Sequence, residues 1–321
     1  MAAEESAFDK ATEEFTVVIV LDFEGTGLNS RKERITQIGA RAYDFEKFKV
    51  TDPEDEESAR LPGVEAFVTY VDPKIPIPPE STEITGIDNN TVKGAPTSRK
   101  ALEAMYKWVA DIKATQKYVL AYNGFGYDYP LLFAETLRAN FNANAMFQNH
   151  FTGFIDPLLW GRHGKRLNKE GFVLNKTGTA PSLSQPDVYK SLFKDELSGA
   201  HDALVDITGL AKVSMHARYR LMWDGQNKYE NWCRTIGTYL MQLCKAQNNY
   251  DKRVRKEMID KVKSRNLFGA KREREEKTEE QKKEDDDGRN LSDLLTGEKA
   301  EPGPKKKKLR ISKSSAIFFQ S

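Results

Sequence analysis

The chain has 321 residues, 39% of them hydrophobic, with 50 lysines and arginines against 48 aspartates and glutamates for a net charge of +2. Two cysteines exclude a disulfide-built scaffold and point to a reducing compartment, and no apolar run approaches the 18 residues a membrane-spanning helix needs. Residues 1–250 carry 29 basic against 33 acidic residues while 251–321 carry 21 against 15, which excludes a broad positive field over the larger part and concentrates the basic surplus in the C-terminal quarter.

The first 14 residues are polar, with acidic residues and no apolar core, so they read as an N-terminal arm and not as a leader. From Phe15 to Leu21 the chain is almost continuously apolar and rich in valine, then stops at Asp22-Phe23-Glu24 and Gly25-Thr26-Gly27. That pattern predicts a buried strand over 16–22 followed by a turn. Side chains alternate along a strand, so Asp22 and Glu24 face the same way, roughly 7 Å apart. Alone, such a pair is equally well a solvated strand end. Further strands are expected near 35–44 and 65–71, with the acidic stretch from Asp52 to Gly63 between them read as a tolerated insertion without function. A helix is expected over 98–112.

Tyr118 to Ala121 reads as a short strand within 118–122, and Asn123-Gly124-Phe125-Gly126 as a turn. Asp128 stands just before Pro130 and the helical spacing of Leu131, Leu132, Ala134 and Leu137, at or near the N-cap of a helix over 130–141. Taken singly, Asp128 is a cap; beside Asp22 and Glu24 it becomes a third carboxylate of one site. A strand near 153–157 and a helix over 185–193 follow. Gly199 breaks the chain before a helix over 202–218, with Asp202 as its cap, His201 on the loop in front of it and Asp206 projecting from its second turn. His150, His163 and His216 are read as structural. Met215 to Gln247 reads as helical, with Tyr219, Met222, Tyr239, Leu240 and Leu243 as an apolar face, and Cys233 and Cys244 on that helix would lie about 16 Å apart, beyond disulfide reach.

Four carboxylates and one imidazole thus sit in three motifs, LDFEGTG (21–27), YNGFGYDYPLL (122–132) and AHDALVDITGL (200–210). In order and approximate separation they resemble the DEDDh group of 3′→5′ exonucleases, and STEITGID (81–88) together with the second motif resembles the three-prime repair exonuclease branch. The resemblance spans about residues 15–215. Tyr122 departs from it, standing where that branch commonly has histidine. It implies an α/β, ribonuclease-H-like exonuclease fold: a central five-stranded mixed sheet flanked by helices, here with a helical and disordered C-terminal extension. The domain plan is an arm at 1–14, an exonuclease domain at 15–218, a helical extension at 219–250 and a charged tail at 251–321.

The resemblance also implies a chemistry. Asp22, Glu24 and Asp206, with Asp128 direct or through water, would hold two Mg²⁺ or Mn²⁺ ions, since hard cations take oxygen ligands and a cation pair suits in-line attack on a phosphodiester. His201 would be the general base, the role the family's histidine plays. The backbone at Gly25 and Thr26 and the side chains of Leu28, Ile84 and Tyr127 would contact the terminal nucleotide, with core packing as the alternative for Leu28 and Ile84. The expected partner is the 3′ end of DNA, single-stranded or frayed, in repair or DNA disposal. RNA is the alternative because the motifs are shared, and a catalytically silent nucleic-acid-binding scaffold is the second. The resemblance further points to a homodimer.

Beyond about residue 251 the sequence is dense in charge and poor in large apolar residues, reading as a solvated helix that grades into disorder. Lys305 to Lys308, with Leu309 and Arg310, resemble a nuclear localisation signal read by an import receptor, against a simple phosphate-binding patch as the alternative. The expectation is an intracellular protein, nuclear or cytoplasmic, with no membrane partner.

Overall fold

The computed structural model describes residues 15–163, 182–220, 233–261 and 279. The N-terminal arm, the basic cluster 305–310 and the tail's expected disorder lie outside the described residues. The sheet is built on β1 (Thr16–Gly25), which pairs antiparallel with β2 (Ile35–Asp44) on one side and parallel with β4 (Gln116–Leu120) on the other. β3 (Phe67–Tyr70) extends the β2 edge antiparallel, β5 (Gly153–Ile155) pairs parallel with β4, and β6 (Cys233–Thr235) closes the far edge antiparallel to β5. The spatial order is β3-β2-β1-β4-β5-β6, a mixed sheet of six strands among the described residues. The sixth corrects the expected five. β6 is three residues long, too short to show period-two alternation against the helical pattern on either side, and it interrupts the helix expected over 215–247.

Alternation along β1 assigns its two faces. Val17, Ile19, Leu21 and Phe23 enter a core shared with helices α3 (Ser98–Asp111), α4 (Asp128–Arg138) and α5 (Ala143–His150). Val18 and Val20 instead pack with Ile207, Leu210, Ala211 and Met215 of helix α8 (Ala203–Met215). Asp22 and Glu24 continue the second series, so strand geometry alone aims them toward the face that α8 covers. The residues after β6 are not a free extension: 236–252 are helical, and Tyr239, Leu240 and Leu243 are buried in the α3–α5 core. The chain divides into two units, 1–252 and 253–321; in the second, 253–261 are helical. Cys244 is a free thiol, and Cys233 lies in β6 and not on the helix that carries it. Among the described residues no helix is long and apolar enough to cross a membrane.

The acidic stretch after β2 is more than an insertion. Pro53–Ala59 forms a 3-10 helix packed against α8, with Ala59 buried and Glu56 only 2% exposed. Glu56 accepts from the Tyr43 hydroxyl and from Arg60 Nη2 at 2.6 Å, and Arg41 Nη1 lies 3.6 Å from it. Arg41 also donates to Thr208 Oγ1 at 2.9 Å, which ties α8 to β2 two residues beyond Asp206. The sequence showed only the charge run, because burial of its middle carboxylate depends on arginines supplied from β2 and from the end of the turn.

Candidate active site

The end of β1 is where the motifs meet. Asp128 begins α4, and its Oδ1 accepts the backbone N–H of Phe23 at 3.1 Å, between Asp22 and Glu24. The turn before it is held by Asp156, just past β5, whose carboxylate accepts from the N–H groups of Asn123 (3.0 Å), Phe125 (3.2 Å) and Leu158 (3.0 Å). Burial raises the Asp156 carboxyl to about 6, with the three N–H groups opposing the shift. Tyr129 adds a hydroxyl bonded to the carbonyls of Val119 and Ile155.

Asp206 arrives from the other face near the start of α8, four residues after Asp202, which caps the helix as expected by accepting from Leu204 N and Val205 N. The backbone N–H of His201 donates to Asp206 Oδ2 at 2.8 Å. His201 sits at φ +74°, a left-handed conformation that costs a non-glycine residue about 1–2 kcal/mol and that the Asp206 contact offsets. Its ring is exposed while Glu24 and Asp206 are each 8% exposed, and one ligand atom from each of Glu24, His201 and Asp206 lies within 4.8 Å of the others.

Three residues that no motif names set this convergence. Gly39 of β2 pairs with Asp22, and a Cβ there would lie 2.7 Å from Ala203 Cβ, so the glycine lets the first turn of α8 rest on the sheet. Gln37, paired with Glu24, accepts the Ala203 N–H on its Oε1 at 3.2 Å. Gln185, at the start of α7 (Gln185–Phe193), donates its Nε2 to the Asp206 carbonyl at 2.8 Å. Their only sequence signal is their position in ordinary strand and helix starts.

The electrostatics are those of an unneutralised cluster. Asp22 is held well above the usual carboxylate range by burial first, then by Asp128, Asp206 and Glu24. Burial, then Asp206 and Asp128, pushes Glu24 to about 8. Asp128 also rises to about 8, chiefly through burial, and Asp206 rises through burial while His201 draws it back. Asp22 Oδ2 is sealed from solvent and has no hydrogen-bond donor. Oxygen-rich, crowded with negative charge and holding an orphaned buried carboxylate oxygen, the cluster fits hard divalent cations.

The expected nucleotide contacts line the rim. Leu28 is 89% and Ile84 54% exposed, which removes the core-packing alternative for both. Helix α2 (Pro79–Thr85), which carries Ile84, is tied to the strand end by Ser81 Oγ donating to the Gly25 carbonyl at 2.6 Å. Tyr127 donates its hydroxyl to the Gly27 carbonyl at 2.9 Å, and a Cβ at Gly25 would meet that hydroxyl at 2.4 Å. Thr26 is turned inward: its N–H goes to the Arg34 carbonyl and its hydroxyl to Glu33 Oε2 at 2.8 Å. His150 and His216 stay in structural settings, His150 bonded to the Met146 carbonyl and His216 capping α8 beside Phe193, while the side chain of His163 lies outside the described residues.

A sheet whose central strand ends in two carboxylates, met by a third from α4 and a fourth from α8, is the architecture of a nuclease. The family model described as exonuclease (RNase_T) matches residues 19–214, and the chain belongs to that family. Three prime repair exonuclease 2 of Homo sapiens is 26% identical over 231 residues, covering 69% of this chain and 92% of the relative. The PolC-type DNA polymerase III of Clostridium perfringens is 36% identical over 93 residues, 29% of this chain and 5% of that protein. Among solved structures, E. coli exonuclease I in complex with a dT13 oligonucleotide superposes with a TM-score of 0.53 at 22% identity, covering 65% of this chain and 43% of that one. At that identity the likeness is one of fold. The chain therefore spans nearly all of one relative but under half of the bacterial exonuclease and a twentieth of the polymerase.

Proposed function

We propose that this protein is a metal-dependent 3′→5′ exodeoxyribonuclease that releases nucleoside monophosphates from single-stranded or frayed 3′ ends. The observation that carries the reading is the convergence of Asp22, Glu24, Asp128 and Asp206 at one strand end, with an exposed imidazole beside them. The human relative's name, which describes three-prime repair, and the dT13 oligonucleotide bound to the E. coli exonuclease support DNA as the polymer.

Asp22, Glu24 and Asp206 would hold two divalent ions, Mg²⁺ or Mn²⁺, with Asp128 ligating directly or through water. When bound, the ions supply positive charge to the phosphodiester and lower the pKa of the attacking water. The chain's own residues do the rest. Asp206 fixes the His201 backbone, so the exposed ring can take a proton at the mouth of the site. Leu28 and Ile84 offer apolar surface to an unstacked base, which needs no sequence. Tyr127, held by Gly27, stands against the strand end where the terminal sugar would lie. The acidic balance of 1–250 makes duplex affinity weak and dependent on ions. The cluster 305–310 would serve as a nuclear address.

The test uses 3′-labelled and 5′-labelled DNA and RNA oligomers with Mg²⁺, Mn²⁺ or EDTA. Loss of the 3′ label as mononucleotide and a ladder from the 5′ label on DNA, abolished by EDTA, is expected; faster RNA cleavage would move the substrate to RNA, and intact oligomers with either metal would end the nuclease reading. His201→Ala should lower turnover about 10²-fold or more, and near-normal turnover would remove His201 from the chemistry.

A further inference from the structure

The family match ends at residue 214, yet the segment after it reaches the catalytic turn. In β6 the guanidinium of Arg234 lies over the ring of Phe125, with Cζ 4.2 Å from its centroid, and 5.4 Å from that of Tyr239. Arg234 Nη1 donates to Gln242 Oε1 at 2.7 Å, so the fork is oriented from the helix that follows β6. Tyr239 meets Phe125 edge-on at 4.8 Å and also contacts Tyr129 (6.0 Å) and Phe154 (5.3 Å). Phe125 is the third residue of the turn 123–126, two residues before Tyr127 and three before Asp128. Asp156 holds that turn through Phe125 N.

We infer that Arg234 and Tyr239 are positioning residues: the β6 segment presses on Phe125 and thereby sets where Asp128 and Tyr127 stand against the end of β1. The physical grounds are that glycines flank Phe125 on both sides, leaving little intrinsic stiffness in the turn. A stacked cation and an aromatic wedge supply that stiffness from outside. Register supports the arrangement, since Arg234 pairs with Phe154 and Ile236 N–H donates to the Thr152 carbonyl at 3.0 Å, which fixes β6 along β5. The inference rests on the proposed exonuclease activity, because it is read through that activity.

The experiment compares the full chain with Arg234→Met and Arg234→Lys. For Arg234→Met, kcat on a 5′-labelled single-stranded oligomer should fall about 10-fold with KM nearly unchanged, the signature of a displaced reacting group. Hydrogen exchange at the amides of 123–128 should accelerate while the thermal midpoint stays near that of the parent protein. Arg234→Lys, which keeps a cation over the ring, should recover most of kcat. Tyr239→Leu should reproduce the loss of kcat and the faster exchange by a second route, here with a lowered thermal midpoint because Tyr239 is buried in the core. A loss carried by KM alone would assign Arg234 to substrate phosphates and overturn the inference, as would unchanged kcat and unchanged exchange in a folded variant. An inactive parent protein would instead refute the exonuclease reading, so the two failures are distinguishable.

Discussion

Adding one methyl group at Gly39 tests whether the approach of α8 to the sheet sets the activity. The new Cβ would lie 2.7 Å from Ala203 Cβ, 2.8 Å from its carbonyl oxygen and 2.9 Å from its carbonyl carbon. Carbon atoms rest at about 3.5–4.0 Å, so the first turn of α8 must retreat by about 0.8 Å or more. That stretches the 3.2 Å bond from Ala203 N–H to Gln37 and carries Asp206, with the His201 backbone bonded to it, away from Glu24. Overpacking of this size costs about 1–3 kcal/mol, a drop of about 2–4 °C in thermal midpoint for each kcal/mol in a domain this large. Activity should suffer more than stability, because a catalytic group displaced by about 1 Å costs about 10²-fold. The assay is mononucleotide release at saturating oligomer and metal, read beside the thermal midpoint of the same preparation. Gly39→Ala combined with Ala203→Gly removes the Cβ–Cβ clash but leaves the contacts to the carbonyl, so rescue should be partial. Turnover of Gly39→Ala within about threefold of the parent would refute the claim that this contact places Asp206.

Other outcomes follow from the same geometry. Glu24 is pushed to about 8, against about 4.3 in an unfolded chain, so between these values the metal-free folded protein holds a proton the unfolded chain has lost and stability falls as pH rises. Glu24→Gln should therefore raise the unfolding free energy of EDTA-treated protein at pH 8.5, by a ceiling of about 5 kcal/mol, and change it little near pH 4; equal or lower stability at pH 8.5 in denaturant unfolding would discard the burial argument. Replacing exposed Leu28 and Ile84 together by serine should raise KM for DNA about 10-fold while stability moves by under about 0.5 kcal/mol, and an unchanged KM in a titration would remove them from substrate contact. Glu56→Ala strands Arg41 and Arg60 around a buried gap and should cost about 3–5 kcal/mol in denaturant unfolding; a cost near zero would mean the buried ion network does not fasten the 3-10 helix to α8.

How much of this was legible without coordinates depends on the range of the signal. β1, β2, α3, α7 and α8 could be read because each repeats its apolar spacing over several periods, and the cap of α8 because Asp202 follows a glycine break. β6 was not readable, being three residues long beside a helix. The motifs name Asp22, Glu24, Asp128, His201 and Asp206 because each lies at an element boundary with glycines or a cap nearby, and the structure gathers those residues at one strand end.

The sequence by itself determined the local frames: two carboxylates on one strand face, one ahead of a helix, one inside a helix with an imidazole before it. Those are consequences of strand and helix periodicity, which act within a few residues. Only the tertiary structure decided how the frames meet. Gly39 and Gln37 set the depth of α8, Asp156 and Arg234 brace the turn that carries Asp128, and Glu56 is buried where a charge run promised solvent. Each of those contacts joins elements distant in the chain, and the energy of such a contact depends on what is brought opposite, which no local spacing records.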